Sequence, residues 1–487
     1  MLTEQKISEK DLYKVWLNFD FDSDLRTTSG EKITILDKGV LDIETSGPDF
    51  KNAKIKIGNF LFTGDVEVEL DYKCWKTHGH NIDRKYSKTI LHVCLFNKFN
   101  QPYVYSKDGR KIPSLCLEKI LDENIINQFS DIDLDSNNKI RCCTEINDEI
   151  KYKFLGYLKT LGIERFNKKC DSFLFRMKEL KFLDELKIKE PVISYNLRPE
   201  FLNRKFEYSD FDDKGLWQQL FYELIFEALG YSKNKLIMQR LAQTADLKFF
   251  KKFANSENKR KIIESTLFNV SGLFPEIDTN KEQSEYLLEI KNLWENLSRI
   301  YDSEKFDKTD WDFFKLRPHN FPTLRIAAGA RIVNELLFND FIPVIIRKIR
   351  EINNLKVLIN SLRSLFIIKA NHYWQKHFIF GKSTKSDIKY LVGATRANEI
   401  LINVVFPFFA LYFDVFGEKG LSKKIIAAYT HIEQNDINSI TRKVSKSFGI
   451  EEYSKHSIYS QGMILLFRNY CSKGKCLECE MGQIIFN

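Results

Sequence analysis

Ser46-Gly47-Pro48-Asp49-Phe50, followed by Gly64-Asp65-Val66-Glu67-Val68-Glu69-Leu70, decides how the N-terminal part of this chain is read. The second segment alternates, and alternate side chains of a strand share a face. Glu67 and Glu69 therefore lie on one face, with Val66, Val68 and Leu70 on the other. Two adjacent carboxylates repel unless something positive sits between them. Mg²⁺ or Mn²⁺, which prefer oxygen ligands, is the usual answer. Asp49, after a Gly-Pro turn, supplies a third ligand. The alternative is an exposed strand face whose acids are simply solvated.

Around this segment the texture is that of a sheet. Lys32–Leu36, Ala53–Ile57, Phe60–Phe62 and Asp65–Leu70 read as strands broken by turns such as Gly58-Asn59. Thr89–Phe96 is nearly all apolar, as a central strand buried on both faces would be. Tyr103–Tyr105 and Lys111-Ile112 flank a turn at Asp108-Gly109. Residues 4–18 carry Leu12, Val15, Trp16 and Phe19 at helical spacing. From about Leu117 the helical period takes over, with stretches at 155–180, 215–229, 233–253, 283–301, 325–352, 358–372, 394–416 and 436–448. The expected class is α+β: a small mixed sheet domain over 1–150, a large all-α domain over 151–470, and a cysteine-bearing tail over 471–487.

The 487 residues exceed one typical core, and 43% hydrophobic with 29% charged residues describes an ordinary globular composition. A net charge of +9 mildly favours a polyanionic partner such as DNA or RNA, although the basic residues are scattered. The start is polar, and the apolar run Ile400–Phe413 is broken by Asn403 and Pro407, so a cytoplasmic protein without a membrane partner is expected. Nine cysteines argue against a secreted disulfide framework.

Three of the eight His lie between residues 78 and 92. His78 and His80 flank Gly79 directly after the acidic strand. Such a cluster can bind a transition metal, work as acid or base, or hold a phosphate. The plain reading of His78 and His80 is a polar loop, and that of His92 a satisfied core histidine.

Gly47-Pro48-Asp49-Phe50, Gly64-x-Val66-Glu67, Trp75-x-x-His78-Gly79-His80-x-x-Asp83-x-x-Tyr86 and Leu91-His92-Val93 together resemble a bacterial family of uncharacterised proteins, domain of unknown function twenty-eight fifty-one. Further matching motifs are Ala228-Leu229-Gly230-Tyr231, Arg317-Pro318-x-Asn320-Phe321-Pro322, Gly393-x-x-Arg396-Ala397-x-Glu399 and the Tyr470-Cys471 run. The family carries no assigned activity. Its members often have His where this chain has Glu69, and Asp where it has Cys74, which leaves the three-acid ligand set open. A looser resemblance is to PD-(D/E)XK nucleases of restriction-endonuclease type, with Pro48-Asp49 as the first half and Glu67-x-Glu69 as the second. That resemblance implies Asp49 and Glu67 as Mg²⁺ ligands, with Glu69 orienting or deprotonating the attacking water.

Cys471-x₄-Cys476-x₂-Cys479 suggests a structural Zn or Fe–S site short of one ligand, to be supplied by Cys142, Cys143, Cys170 or His456. Three ordinary thiols are the alternative. Arg317, Arg325 and Arg396 read either as phosphate grips or, preferably, as helix-packing and capping residues. The preferred function is a metal-dependent phosphodiester hydrolase acting on nucleic acid, with Asp49, Glu67, Glu69, His78 and His80 at its centre. The alternatives are a non-catalytic nucleic-acid or protein-binding scaffold and a small-molecule hydrolase.

Overall fold

A computed structural model describes residues 7–21, 25–42, 47–118, 120–121, 148–186, 201, 203–276, 284–314, 316–434, 436–473 and 475–486. The polar run 131–138, Cys142, Cys143, Pro191 and Pro199 lie outside these. The chain forms two compact units, Met1–Lys139 and Ile140–Asn487. A mixed sheet dominates the first and helices the second, so the protein is α+β.

The first unit begins with α1 (Glu9–Asn18). A capping box starts it: Ser8 N–H donates to Asp11 Oδ2 at 2.9 Å, satisfying a helix-entry amide. Leu12, Val15 and Trp16, at helical spacing, are fully buried. Seven strands follow: β1 (Ile33–Asp37), β2 (Val40–Leu41), β3 (Phe50–Ile57), β4 (Phe60–Asp71), β5 (Thr89–Phe96), β6 (Tyr103–Tyr105) and β7 (Lys111–Cys116). Their order is β1-β3-β4-β5-β7-β6, with β2 added to β3. β3 and β4 form an antiparallel hairpin, whereas β4–β5 and β5–β7 are parallel.

This pairing positions the site. Parallel neighbours cannot be joined by a tight turn, so the chain between β4 and β5 must cross a sheet face. Residues 72–88 make that crossing, through a short helix α2 (Cys74–Thr77) and a 3₁₀ turn at Arg84–Tyr86. Val66 and Val68 of β4, with Leu91, Val93 and Leu115, join α1 in one apolar core. The crossover covers the opposite face, where Trp75 and Tyr86 pack with Val104 and Ile112. β5 is buried along its whole length, as its unbroken apolar run requires.

In the second unit the long helix Asp148–Leu186 packs against Ser457–Asn469. A Cβ at Gly162 would strike Ile458 O, and one at Gly462 would strike Leu158 O, so both glycines are needed where the backbones touch. The stretch 394–415 is one helical run, interrupted by a π turn at Leu401–Val405 in which Phe406 N–H bonds to Leu401 O. Pro407 lacks an N–H and crowds the preceding turn, which is the common cause of such a widening. Ala394–Val415 is the one helix among the described residues long and apolar enough to span a bilayer, and 67% of its most apolar window is buried inside the protein. The tail also belongs to this unit: Cys479 and Met481 are buried in a cluster with Phe154, Leu158 and Met463.

Candidate metal centre

Strand alternation places Glu67 and Glu69 on the face beneath the crossover, and both are buried, at 5% and 1% exposed. In register, Glu67 of β4 lies beside His92 of β5, which lies beside Ser114 of β7. The crossover delivers the remaining imidazoles. Gly79, at φ +79°, takes a conformation that L side chains resist, which turns the chain between His78 and His80.

Glu69 is the hub. Its Oε1 lies 3.1 Å from His78 Nδ1 and 3.2 Å from His80 Nε2. Its Oε2 lies 3.1 Å from His92 Nε2. His92 is fully buried and reaches Ser114 Oγ at 3.2 Å through its other nitrogen. His80 Nε2 also lies 3.2 Å from Glu67 Oε1, and its ring stacks on Tyr86 with centroids 4.0 Å apart. Trp75 closes the edge against His80, Tyr86 and His92, its indole N–H donating to Tyr105 O at 3.0 Å.

Asp49 is bound into the same network from the neighbouring strand. Tyr13 of α1 donates its hydroxyl to Asp49 Oδ1 at 2.7 Å, and Val68 N–H donates to Oδ2 at 3.1 Å. In return, Asp49 N–H donates to Glu67 Oε2 at 3.0 Å.

Burial, reinforced by the nearby Glu67 charge, pushes Asp49 up to about 8. Burial likewise raises Glu67, although His80 opposes it. For Glu69 the upward push of burial is overcome by hydrogen bonds from His80 and His92, and the net shift is downward. Burial alone would lower His80, but hydrogen bonds to Glu67 and Glu69 outweigh it and hold the imidazole up at about 9.

Asp49 and His80 therefore bind protons more tightly folded than unfolded. Their contribution to stability is present below the unfolded pKa and is lost as pH rises through the folded value. For His80 that window runs from about 6.5, the unperturbed histidine value, to about 9. Loss of the Asp49 contribution completes near 8. Chelator-treated protein is expected to lose melting temperature steadily between pH 6.5 and 9, and Mn²⁺ is expected to restore most of it at the alkaline end. A melting temperature that rises over this range would contradict the network.

Among the described residues, the group of three donor atoms lying within 4.8 Å of one another is Glu69, His78 and His80. The sequence reading had Asp49, Glu67 and Glu69 as the ligand set. The structure brings all three acids into one network but leaves Asp49 and Glu67 outside this trio. Cys471, Cys476 and Cys479 are in no disulfide and form no such group among the described residues. Cys170 Sγ donates to Pro407 O, and His456 lies 3.5 Å from Glu433. Tyr13 and Ser114 went unread in the sequence. Tyr13 sits 36 positions from its partner, and only the β5–β7 register reveals Ser114.

The chain belongs to the family described as Protein of unknown function (DUF2851), whose model matches residues 9–185 and 201–438. The whole metal-centre network lies within the matched residues, and the cysteine run lies beyond them. Neither the curated proteins nor the solved structures contain a match to this chain.

Proposed function

We propose that the N-terminal unit is a divalent-metal-dependent hydrolase that cleaves phosphodiester bonds in nucleic acid, with Glu69, His78 and His80 holding the ion. The observation that carries this reading is the convergence of one buried carboxylate and two imidazoles within a single ion's reach. These donors fit a cation, and the mixed nitrogen and oxygen set favours Mn²⁺, Zn²⁺ or Fe²⁺ over Mg²⁺. A bound ion of this kind supplies Lewis-acid polarisation of a phosphoryl oxygen and a more acidic water.

The chain's own groups do the remaining work. Asp49, raised to about 8, takes or gives a proton near neutrality, which suits general acid–base catalysis. Tyr13 fixes the orientation of its carboxyl. Glu67 ties Asp49 to His80, so a proton moved at one is felt at the others. Trp75 and Tyr86 shield His80 and His92 from bulk water, while His78 stays exposed. Pro48-Asp49 immediately before β3 and Glu67-x-Glu69 on β4, its hairpin partner, support the likeness to PD-(D/E)XK nucleases. The net charge of +9 supports a polyanionic substrate.

One observation favours a second reading. Both Asp49 oxygens already accept hydrogen bonds, and the acids satisfy one another through His80. A self-satisfied network of this kind suits a nucleic-acid-binding scaffold with a degenerate centre.

Cleavage of plasmid and single-stranded substrates with added Mn²⁺ separates the two. The hydrolase reading expects cleavage that falls at least about a hundredfold in Asp49→Asn and Glu67→Gln, with folding intact. Salt-sensitive binding without cleavage of any polynucleotide would favour the scaffold and overturn the hydrolase.

A further inference from the structure

The second unit gathers sequence motifs that the metal centre does not use. Tyr231 is their meeting point, held at φ +57°, a conformation costly for a bulky side chain. Arg396 lies face-on to its ring, with the guanidinium carbon 3.3 Å from the centroid, and also donates to Ala228 O. Arg325 donates through one terminal nitrogen to Leu391 O and through the other to the Tyr231 hydroxyl at 2.9 Å, His319 O at 2.8 Å and Asn320 Oδ1 at 2.9 Å. Three motifs far apart in sequence thus converge on one aromatic ring.

Two more cations lie nearby, within electrostatic reach of Glu399, as Arg396 is. Arg165 donates to Gln461 Oε1 at 2.7 Å, and Lys169 donates to Asn403 Oδ1 in the π turn. Glu399 itself accepts from the amides of Asn403 at 2.8 Å and Gln434 at 2.5 Å. None of Arg165, Lys169, Arg325 or Arg396 makes an ion pair among the described residues. Elsewhere in the same unit a comparable arginine is paired: Arg176 donates to the buried Glu223 at 2.8 Å.

Unpaired buried charge is costly, and it persists where something compensates it. The Nε–H groups of Arg325 and Arg396 are buried with no partner, so the cluster has hydrogen-bond donors to spare. Lys169 and Arg396 are half-buried, so part of each side chain reaches solvent. Burial and mutual repulsion weaken the hold of these side chains on their protons, and a counter-anion would reverse that.

We propose that this cluster binds the terminal phosphate of a phosphomonoester, with Arg396 and Lys169 as its principal donors and the Arg325 Nε–H beside them. Lys235 and Glu227, also in reach of Lys169, pair with each other at 2.6 Å, and Arg468 adds a further positive charge near Arg165, so the excess of cations over Glu399 remains and calls for an anion carrying more than one charge. A terminal phosphate is close to a dianion at neutral pH, whereas a backbone phosphodiester carries one charge and is masked on two sides. The planar guanidinium fork matches two phosphate oxygens, and the third terminal oxygen of a phosphomonoester remains for another cation, whereas a carboxylate has only two oxygens in all. The ligand is then a mononucleotide or the phosphorylated end of a polynucleotide, and the cluster reads the phosphate common to both. This site is independent of the metal centre.

The test is a melting-temperature titration of the full chain in chelator, at constant ionic strength. The probes are inorganic phosphate, adenosine monophosphate, and one oligonucleotide with either a 5′-phosphate or a 5′-hydroxyl end. Wild-type protein is expected to gain stability with phosphate and not with matched chloride, because a ligand that binds only the folded state raises its melting point. The 5′-phosphorylated oligonucleotide is expected to outperform its hydroxyl twin if polynucleotide ends are the source, and adenosine monophosphate to match it if mononucleotides are. Lys169→Met is expected to weaken phosphate binding at least about tenfold while leaving the ligand-free melting point unchanged or higher, since it removes an unpaired charge. A purely structural lysine would instead lower that melting point. Should Lys169→Met not fold, Arg396→Lys decides: charge is kept, the fork is lost, and binding weakens by a similar factor. No phosphate-dependent shift in wild type, or equal shifts in wild type and variant, would overturn the site.

Discussion

Glu69→Ala is expected to abolish stoichiometric divalent-metal binding and to unfold the apo protein more readily. Glu69 is nearly inaccessible, and three imidazoles converge on its two oxygens. Removing it takes the shared carboxylate from all three, leaving His80 with Glu67 and His92 with Ser114. Breaking a buried charge pair from one side costs about 3–5 kcal/mol. Metal affinity should fall by well over the roughly hundredfold typical of losing a mere supporting contact. Glu69→Gln separates the two effects, because the amide keeps the shape and most hydrogen bonds but is a poor ligand. It should recover much of the stability and little of the metal. Elemental analysis with chemical denaturation reads both quantities, and retention of one ion per chain in either variant would remove Glu69 from the ligand set.

Gly64→Val is expected to be the most damaging single change on the sheet. A Cβ at 64 would sit 2.5 Å from the backbone oxygen of Lys88 and would overlap the Ile90 side chain. The oxygen cannot move aside, because it already accepts from Asp65 N–H at 3.0 Å where β4 meets β5. Overpacking against backbone costs about 3 kcal/mol or more. Since the crossover hangs from this junction, His78 and His80 should lose their register with Glu69, and metal binding should fall in parallel. Gly156→Ala is the control: nothing lies within 4 Å of its added methyl, so replacing a mid-helix glycine should stabilise by about 0.5–1 kcal/mol. Wild-type stability and metal affinity in Gly64→Val would show that β4 and β5 are not packed this closely.

Alternation in 66–70 is enough to place Glu67 and Glu69 on one face, though the burial of that face comes from the crossover, and the apolar run 89–96 is enough to read a central strand. His-Gly-His announced a site without saying where it would lie. Its position follows from parallel pairing of β4 and β5, and a sequence does not display pairing direction. The closest donor trio differs from the three acids for that reason: the crossover brings imidazoles to Glu69, while Asp49 is drawn toward Tyr13 and the Val68 amide. Helix ends were partly legible. Residues 233–253, read as one helix, are broken where Asp246 caps a new start by accepting from Phe249 N–H at 2.9 Å. Residues 325–352 break at Asp340, whose left-handed φ of 48° no periodicity reveals. The convergence of Tyr231, Arg325 and Arg396 was equally hidden, because the three lie on separate segments that only tertiary packing joins.

The central claim is that Glu69, His78 and His80 cradle one divalent ion. A Co²⁺ titration of chelator-stripped protein tests it most directly, because the visible absorption of Co²⁺ reports its ligand geometry. The expected result is a single saturable site of one Co²⁺ per chain, lost in His80→Ala and displaced by Zn²⁺. A featureless titration matching that of free Co²⁺, or the same spectrum in wild type and His80→Ala, would contradict it.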